Sequence, residues 1–273
     1  MEAHFEEYKS SRIRYYISAP GSGARILYCF HGYGESGAVF SFLEEPMASE
    51  YTLVAIDFPF HGETSWNEGL LFTPGDLEAI LESILARHSL SGSVCCFFGF
   101  SMGGRVALGL LDRFGEQVKK AVLVAPDGLR INGWYWLATQ TLIGNSIFSF
   151  LMKNPRLFLM LLGIANRLGV VNQSIHKFLH AYLHSKQVRT ELFTRWTTMR
   201  RFKPEKAKLK KLILEKRIIL KLVYGQFDRI IRAETGQAFI NGLERYAALI
   251  ILPSGHHILN EKNIELLVGL LKE

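Results

Sequence analysis

The sequence contains little cysteine and no apolar run long enough to cross a membrane. Its three cysteines, Cys29, Cys95 and Cys96, are an odd number and lie in strand-like apolar runs, which argues against a disulfide framework. The longest helical apolar run, LFLMLLGIA at 157–165, falls well short of the roughly 20 residues that a span needs. The N-terminal segment MEAHFEEYKSSR is charged and lacks the apolar core of a secretory signal. Together these features predict a reduced, cytoplasmic protein.

Acidic residues are fewer than basic ones, and the formal net charge is +7. The excess is concentrated in the segment 199–217, which carries nine Lys or Arg and two Glu. Such a run is usually the solvated face of a helix, and weak contact with an anionic membrane surface is the alternative. No aromatic-interleaved RNA motif or zinc-finger spacing is present, so we expect no nucleic-acid partner.

Hydrophobic residues make up 48% of the 273 residues, enough for a sizeable core. Apolar runs rich in β-branched and aromatic residues alternate with helical patterns, which predicts an α/β fold with a mostly parallel twisted sheet flanked by helices. The segment 4–18 is more polar and suits one or two antiparallel edge strands. The other predicted strands are 24–30, 51–58, 93–98, 119–125, 217–224 and 247–252, and the helices among them are 74–88, 101–115, 232–246 and 261–273.

The alternation stops between Asp127 and about residue 215, where only helical patterns occur. We therefore expect a core formed by 1–126 and 216–273, and an all-helical cap, 127–215, inserted after the sixth strand. Such an insertion would follow the C-terminal end of a strand, the edge at which open α/β sheets bind ligands. The predicted cap helices are 133–152, 155–168, 172–185, 187–200 and 204–215.

A serine lies among glycines where a predicted strand meets a predicted helix. The stretch GFSMGG at 99–104 fits the pattern G-x-S-x-G in the context that this motif needs. The sharp turn strains the serine backbone, and Gly99 and Gly103 remove side chains that would collide across it. We interpret Ser101 as a candidate nucleophile, and an ordinary glycine turn is the simpler alternative.

A serine hydroxyl needs a base to become a nucleophile. His256, in LPSGHHILNEK after the last predicted strand, is the preferred base, with His257 as its alternative. Asp228, in VYGQFDRII at the end of another strand, is the preferred acid that orients the imidazole, with Asp127 as the competitor. The resulting chain order of serine, aspartate and histidine is the one expected for a nucleophile elbow.

An acyl-transfer site also needs donors for the developing oxyanion. The backbone N–H of Met102, directly after the serine, is one expected donor. The second is expected from the glycine-rich loop HGYGES at 31–36, through the N–H of Tyr33.

These segments resemble one family, the α/β-hydrolase superfamily with a helical cap. HGYGES resembles its oxyanion loop, GFSMGG its nucleophile elbow, YGQFD its acid loop and GHHILNEK its histidine loop. The segment IDFPFHGETSW at 56–66 resembles a further family segment, with Phe60 where glycine is frequent. The resemblance implies that Asp57 and His61 hold this loop in shape. It also implies a serine hydrolase that works through an acyl-enzyme and without a cofactor or a bound metal.

A narrower resemblance leaves the reaction open. SMGGRVAL is similar to the elbow of SHCHC synthase, a lyase in which the arginine after the two glycines binds a substrate carboxylate. Arg105 matches that arginine, whereas Phe100 departs from the usual tyrosine. A lyase or a carbon–carbon bond hydrolase with the same triad is therefore the alternative, and a non-catalytic ligand receptor is a third. If Arg105 binds no substrate, it faces solvent or forms a salt bridge.

The predicted cap is rich in aromatic residues, among them Trp134, which we expect near substrate. This composition favours an apolar small molecule as the substrate. His176, His180 and His184 share one face of a predicted helix, but no nearby carboxylate completes a metal site, so we expect none. The sequence thus predicts cleavage of an ester, thioester or related carbonyl bond of a mostly apolar molecule.

Overall fold

The computed structural model of the protein describes residues 1–19, 25–90, 94–130, 133–169, 183 and 185–272. The chain forms two compact units. The first contains Met1–Glu68, Phe72–Arg130 and Arg201–Glu273, and the second contains Gly69–Leu71 and Ile131–Arg200. The helical unit is therefore shorter than the 127–215 expected from the sequence, because residues 201–216 pack within the first unit.

An eight-stranded sheet is the framework of the first unit. In sheet order the strands run β1-β2-β4-β3-β5-β6-β7-β8. β1 pairs antiparallel with β2, β2 pairs antiparallel with β4, and the remaining neighbours are parallel. The predicted fold class is confirmed. The strands are β1 (Glu2–Tyr8), β2 (Ser11–Ile17), β3 (Arg25–Phe30), β4 (Tyr51–Ile56), β5 (Cys95–Phe100), β6 (Val118–Val124), β7 (Ile219–Gly225) and β8 (Ala247–Leu252).

Helices cover both faces of this sheet, which explains why every residue of β4 and β5 is buried. A 3-10 helix, Gly37–Leu43, follows β3 and was not predicted. The α-helices of the first unit are α1 (Glu44–Met47), α2 (Pro74–Arg87), α3 (Met102–Phe114), α8 (Lys206–Lys216), α9 (Ala233–Ile240) and α10 (Ile264–Lys272).

Local sequence fixes the start of α2. The Thr73 hydroxyl accepts the N–H of Asp76 at 3.1 Å, and the Asp76 carboxylate accepts the N–H of Thr73 at 3.0 Å. This reciprocal capping box satisfies two amides that have no partner within the helix. Pro74 occupies the first turn, where a missing N–H costs nothing.

The described part of the second unit is helical, with α4 (Gly133–Gln140), α5 (Leu142–Lys153), α6 (Pro155–Arg167) and α7 (Lys186–Thr198). The helix predicted over 133–152 is two helices, because Thr141 caps the second by accepting the N–H of Gly144 at 2.9 Å. The buried guanidinium of Arg189 donates to the carbonyl of Met152 at 2.9 Å and so joins α7 to α5. The helix predicted over 172–185 lies outside the described residues.

All three cysteines are free and buried in the sheet. Burial raises the pKa of each thiol, to about 12 for Cys95. They serve as small core residues, as the sequence indicated.

Candidate active site

The predicted nucleophile elbow, with Ser101, lies between β5 and α3. Ser101 has φ of 51° and ψ of −113°, a strained conformation for a residue with a side chain. A Cβ on Gly103 would lie 1.8 Å from the carbonyl oxygen of Phe30, and a Cβ on Gly99 would lie 2.7 Å from the carbonyl oxygen of Gly103. Only glycine fits at either position, so the elbow depends on both.

The structure brings Ser101, His256 and Asp228 together. The Nε2 atom of His256 lies 3.1 Å from Oγ of Ser101, and its Nδ1 atom lies 2.7 Å from Oδ2 of Asp228. Because the carboxylate accepts, Nδ1 carries the proton, and Nε2 is left to accept the serine hydroxyl. This is the hydrogen-bond order in which an imidazole can act as a general base toward serine.

The loops that carry Asp228 and His256 are held together by backbone contacts. Phe227 N–H donates to the Ser254 carbonyl at 2.9 Å. A Cβ on Gly225 would lie 2.3 Å from the Gly255 carbonyl oxygen, so this approach requires glycine.

The second carboxylate oxygen of buried Asp228 is also occupied. Oδ1 accepts the N–H groups of Ile230 and Ile231 at 2.8 and 2.9 Å. The carboxylate is thereby fixed with Oδ2 toward the imidazole.

The expected oxyanion donors lie on α3 and on the loop after β3. Met102 is the first residue of α3, where the initial amides have no partner within the helix and the helix dipole favours negative charge. Tyr33 is half-buried, with its ring edge-on to His61 at 6.0 Å between centroids. The role of both amides stays a prediction.

Buried His31 fixes the start of this loop, a feature that sequence reasoning did not single out. Phe58 N–H donates to Nε2 of His31 at 3.1 Å, so Nε2 is the unprotonated nitrogen. Nδ1 therefore carries the proton and donates to the Gly32 carbonyl at 2.7 Å. The sequence did indicate this role, because His31 directly follows the buried strand β3.

Arg105 does not offer an open guanidinium. Its side chain is buried, and Nη1 lies 3.4 Å from Oδ2 of Asp127. Asp127 also donates its backbone N–H to the carbonyl of Ser101 at 3.0 Å. Asp127, the alternative acid, therefore stabilises the turn at Ser101. Because Arg105 already has a carboxylate partner, the main reason for the lyase alternative is weakened.

Phe100 is buried beside the histidine loop. Its ring centroid lies 5.4 Å from that of His256 and 6.4 Å from that of His257. His257 itself is exposed. Phe100 thus packs against His256. Its contact with substrate stays a prediction, as does that of Trp134, which lies on α4 of the second unit.

Asp57 and His61 lie in the loop after β4, and the His61 ring lies 5.1 Å from that of His31 between centroids. Oδ1 of buried Asp57 accepts the N–H of Gly37 at 2.6 Å. Burial raises the pKa of Asp57 to about 6. Phe60 has φ of 64°, a conformation that favours the glycine frequent in the resembling family.

Within the described residues, no group of three or more His, Cys, Asp or Glu side chains is arranged to hold a metal ion. His176, His180 and His184 lie outside them.

The fold and the site define an α/β hydrolase. The profile of the Alpha/beta hydrolase family matches residues 27–269, and the chain belongs to this family. Among solved structures, the chain is similar to a thermophilic esterase from Thermogutta terrifontis, with a TM-score of 0.67 and 14% identity, covering 100% of this chain and 97% of the esterase. At that identity the likeness concerns the fold alone.

Similarity to curated proteins is partial. A dihydrolipoyllysine-residue acetyltransferase component of an acetoin cleaving system from Pseudomonas putida is 31% identical over 127 residues, which are 45% of this chain and 33% of that protein. A pimeloyl-[acyl-carrier protein] methyl ester esterase from Neisseria meningitidis is 29% identical over 99 residues, 36% of this chain and 29% of that protein. The chain therefore spans about a third of the length of these relatives.

Proposed function

We propose that the protein is a serine hydrolase that cleaves an ester, thioester or related carbonyl bond of a mostly apolar small molecule. The observation that carries the proposal is the continuous hydrogen-bond chain from Ser101 through His256 to Asp228. A serine at a strained elbow, paired with a correctly protonated imidazole, suits nucleophilic acyl transfer.

In the first half of the reaction, Nε2 of His256 takes the proton of the Ser101 hydroxyl as Oγ bonds to the substrate carbonyl carbon. The N–H groups of Met102 and Tyr33 stabilise the oxyanion. The leaving alcohol or thiol takes the proton from His256, and the acyl group remains on Ser101. In the second half, His256 takes a proton from water, whose oxygen attacks the acyl carbon, and the proton returns to Ser101 as the acid leaves.

Two further observations support this substrate class. Phe227 and Ile230, close to Asp228 in sequence, expose 64% and 74% of their surface, and an apolar substrate could cover such side chains. The names of the Neisseria relative and of the Thermogutta structure also describe ester cleavage.

A fluorophosphonate probe and a panel of p-nitrophenyl esters and acyl thioesters of increasing chain length test the proposal. We expect one covalent label per chain, on Ser101, and a burst of p-nitrophenol. Ser101→Ala should abolish both, whereas Ser146→Ala, at an exposed serine whose hydroxyl donates to the Leu142 carbonyl, should change neither. Tight ligand binding by the folded protein without labelling or turnover would instead indicate a receptor.

A further inference from the structure

Most of the second unit lacks acidic residues, and Glu191 on α7 is the one Asp or Glu in the sequence of Ile131–Arg200. Residues 128–190 contain seven Lys or Arg and no Asp or Glu. This segment includes α4, α5 and α6, and it is separate from the basic segment 199–217. The net positive charge of this segment attracts anionic partners.

Helix α5 exposes its apolar side. Leu142, Ile143, Ile147 and Phe150 are all exposed, with Leu142 at 90% and Ile143 at 77%. At about 100° per residue these four side chains fall within about 140° of arc. The buried side of the helix lies opposite, at Gly144 and Met152.

Helix α6 and the residue that follows it repeat this arrangement. Met160, Leu161, Ile164 and Leu168 are exposed and fall within about 100° of arc. Leu162, on the opposite side, is buried. Soluble helices normally turn the apolar stripe inward, so both helices present to solvent what a globular unit would bury.

Cations lie at the ends of these faces. Lys153 and Arg156 are exposed at the junction of the two helices, and Arg167 is exposed at the end of α6. Next to α5, with which it packs, α4 exposes Trp134 by 72%. Helices that lie in a membrane interface typically have an exposed apolar stripe, flanking cations and an exposed tryptophan.

Neither helix is long enough to span a bilayer. Among the described residues no single helix is both long enough and apolar enough to cross a membrane. The two helices α5 and α6 meet these requirements together, but their axes are bent by 109°. Two short helices at that angle suit the plane of the headgroup region better than a path through the hydrocarbon.

We propose that the exposed apolar residues of α5 and α6 form a membrane-docking surface, here called the α5–α6 surface, which inserts into the headgroup region of an anionic bilayer. Large apolar patches with a polar rim mark interaction sites. Lys153, Arg156 and Arg167 flank the surface, and the sequences of α4, α5 and α6 contain no Asp or Glu, which favours anionic lipid over a neutral or basic partner. The proposal does not depend on the hydrolase activity, and it can be measured on Ser101→Ala.

Flotation with phosphatidylcholine vesicles, with and without 30% phosphatidylserine, tests the surface with the full chain. We expect binding to both, tighter for the anionic vesicles by roughly tenfold or more. Salt at 1 M shortens the screening length to about 3 Å and should remove this preference while leaving the apolar component. Tryptophan emission, to which Trp134 and three other tryptophans contribute, should shift to the blue on binding.

Variants separate the two contributions. Leu142→Gln with Ile143→Gln should lower the partition coefficient on both vesicle types by about tenfold or more, because two apolar side chains no longer leave water. Lys153→Gln with Arg156→Gln should lower it on anionic vesicles only. Ile251→Gln, at an exposed apolar position on β8, is the matched control and should change nothing. Circular dichroism checks that each variant is folded.

Three outcomes overturn the proposal. The first is wild-type protein that binds neither vesicle type. The second is binding that survives both double variants but is lost with Lys206→Gln and Lys211→Gln, which would assign it to the segment 199–217. The third is a wild-type dimer in sedimentation equilibrium that Leu142→Gln with Ile143→Gln dissociates, without vesicle binding, since the surface would then meet a second copy of the chain.

Discussion

Glu35 accepts the backbone N–H of Gly32 on its Oε2 atom at 2.9 Å, a hydrogen bond within the loop 31–36 that carries the expected oxyanion donor Tyr33. Burial raises the pKa of Glu35, against the lowering effects of this hydrogen bond and of nearby His257 and His256.

Glu35→Ala should lower kcat by roughly tenfold, because one hydrogen bond of about 1–1.5 kcal/mol no longer holds Gly32 and the following amide. KM should change less, because the loop acts on the transition state more than on bound substrate. Glu35→Gln keeps an acceptor oxygen and should restore most of kcat. Steady-state kinetics on one p-nitrophenyl ester compare the two. Equal losses in both variants would mean that the charge matters, and not the bond.

The two candidate acids should differ sharply on replacement. Asp228→Asn should lower kcat on the order of 10³- to 10⁴-fold, because an amide NH₂ toward Nδ1 favours the wrong tautomer of His256. Asp127→Asn should lower it less than tenfold, since that side chain contacts Arg105 and not the imidazole. Comparable losses in kcat would contradict this assignment.

Gly103→Ala should prevent the elbow from closing, because the new methyl carbon would meet the backbone of Phe30 at 1.8 Å. We expect a loss of several kcal/mol in the free energy of unfolding, or no folded protein. Gly269→Ala, on α10, meets no atom within 4 Å and should gain about 0.5–1 kcal/mol from helix propensity. Urea denaturation measures both, and similar effects of the two changes would refute the steric argument.

The raised pKa of Asp57, about 6 against an ordinary 3.8, predicts a pH dependence of stability. The folded state holds this proton more tightly than the unfolded chain does. The contribution of Asp57 to the free energy of unfolding therefore falls as pH rises from about 4 to about 6. Asp57→Asn does not ionise, so its free energy of unfolding relative to wild type should rise by about 1–3 kcal/mol across that range.

Urea titrations at intervals between pH 4 and pH 7 give this difference. Asp112→Asn, at an exposed carboxylate, shows the effect of removing a surface charge. A wild-type-minus-Asp57→Asn difference that stays constant with pH would show that Asp57 ionises alike in both states.

The sheet and the three strand-end loops could be predicted because they rest on local signals. Continuous apolar runs mark buried strands, and Ser101, Asp228 and His256 each follow one within four residues. Parallel strands end at one edge, so residues placed there meet even when 155 positions separate the serine from the histidine.

Features that depend on contacts distant in sequence were not predicted. The burial of Arg105 depends on Asp127, which belongs to the next strand end. The locked tautomer of His31 depends on Phe58 in the loop after β4. The division between α4 and α5 had a local signal, because Thr141 caps α5. The apolar pattern continues across this division, so the sequence predicts one helix.

The buried cysteines have a practical consequence. With pKa values raised and no exposed sulfur, Cys29, Cys95 and Cys96 will react slowly with maleimides or nitroxide reagents in the folded state. A single cysteine introduced at position 147 would then be the preferred attachment point for a spin label, with the native thiols left in place. The depth of that label in a bilayer can be measured without building a cysteine-free background.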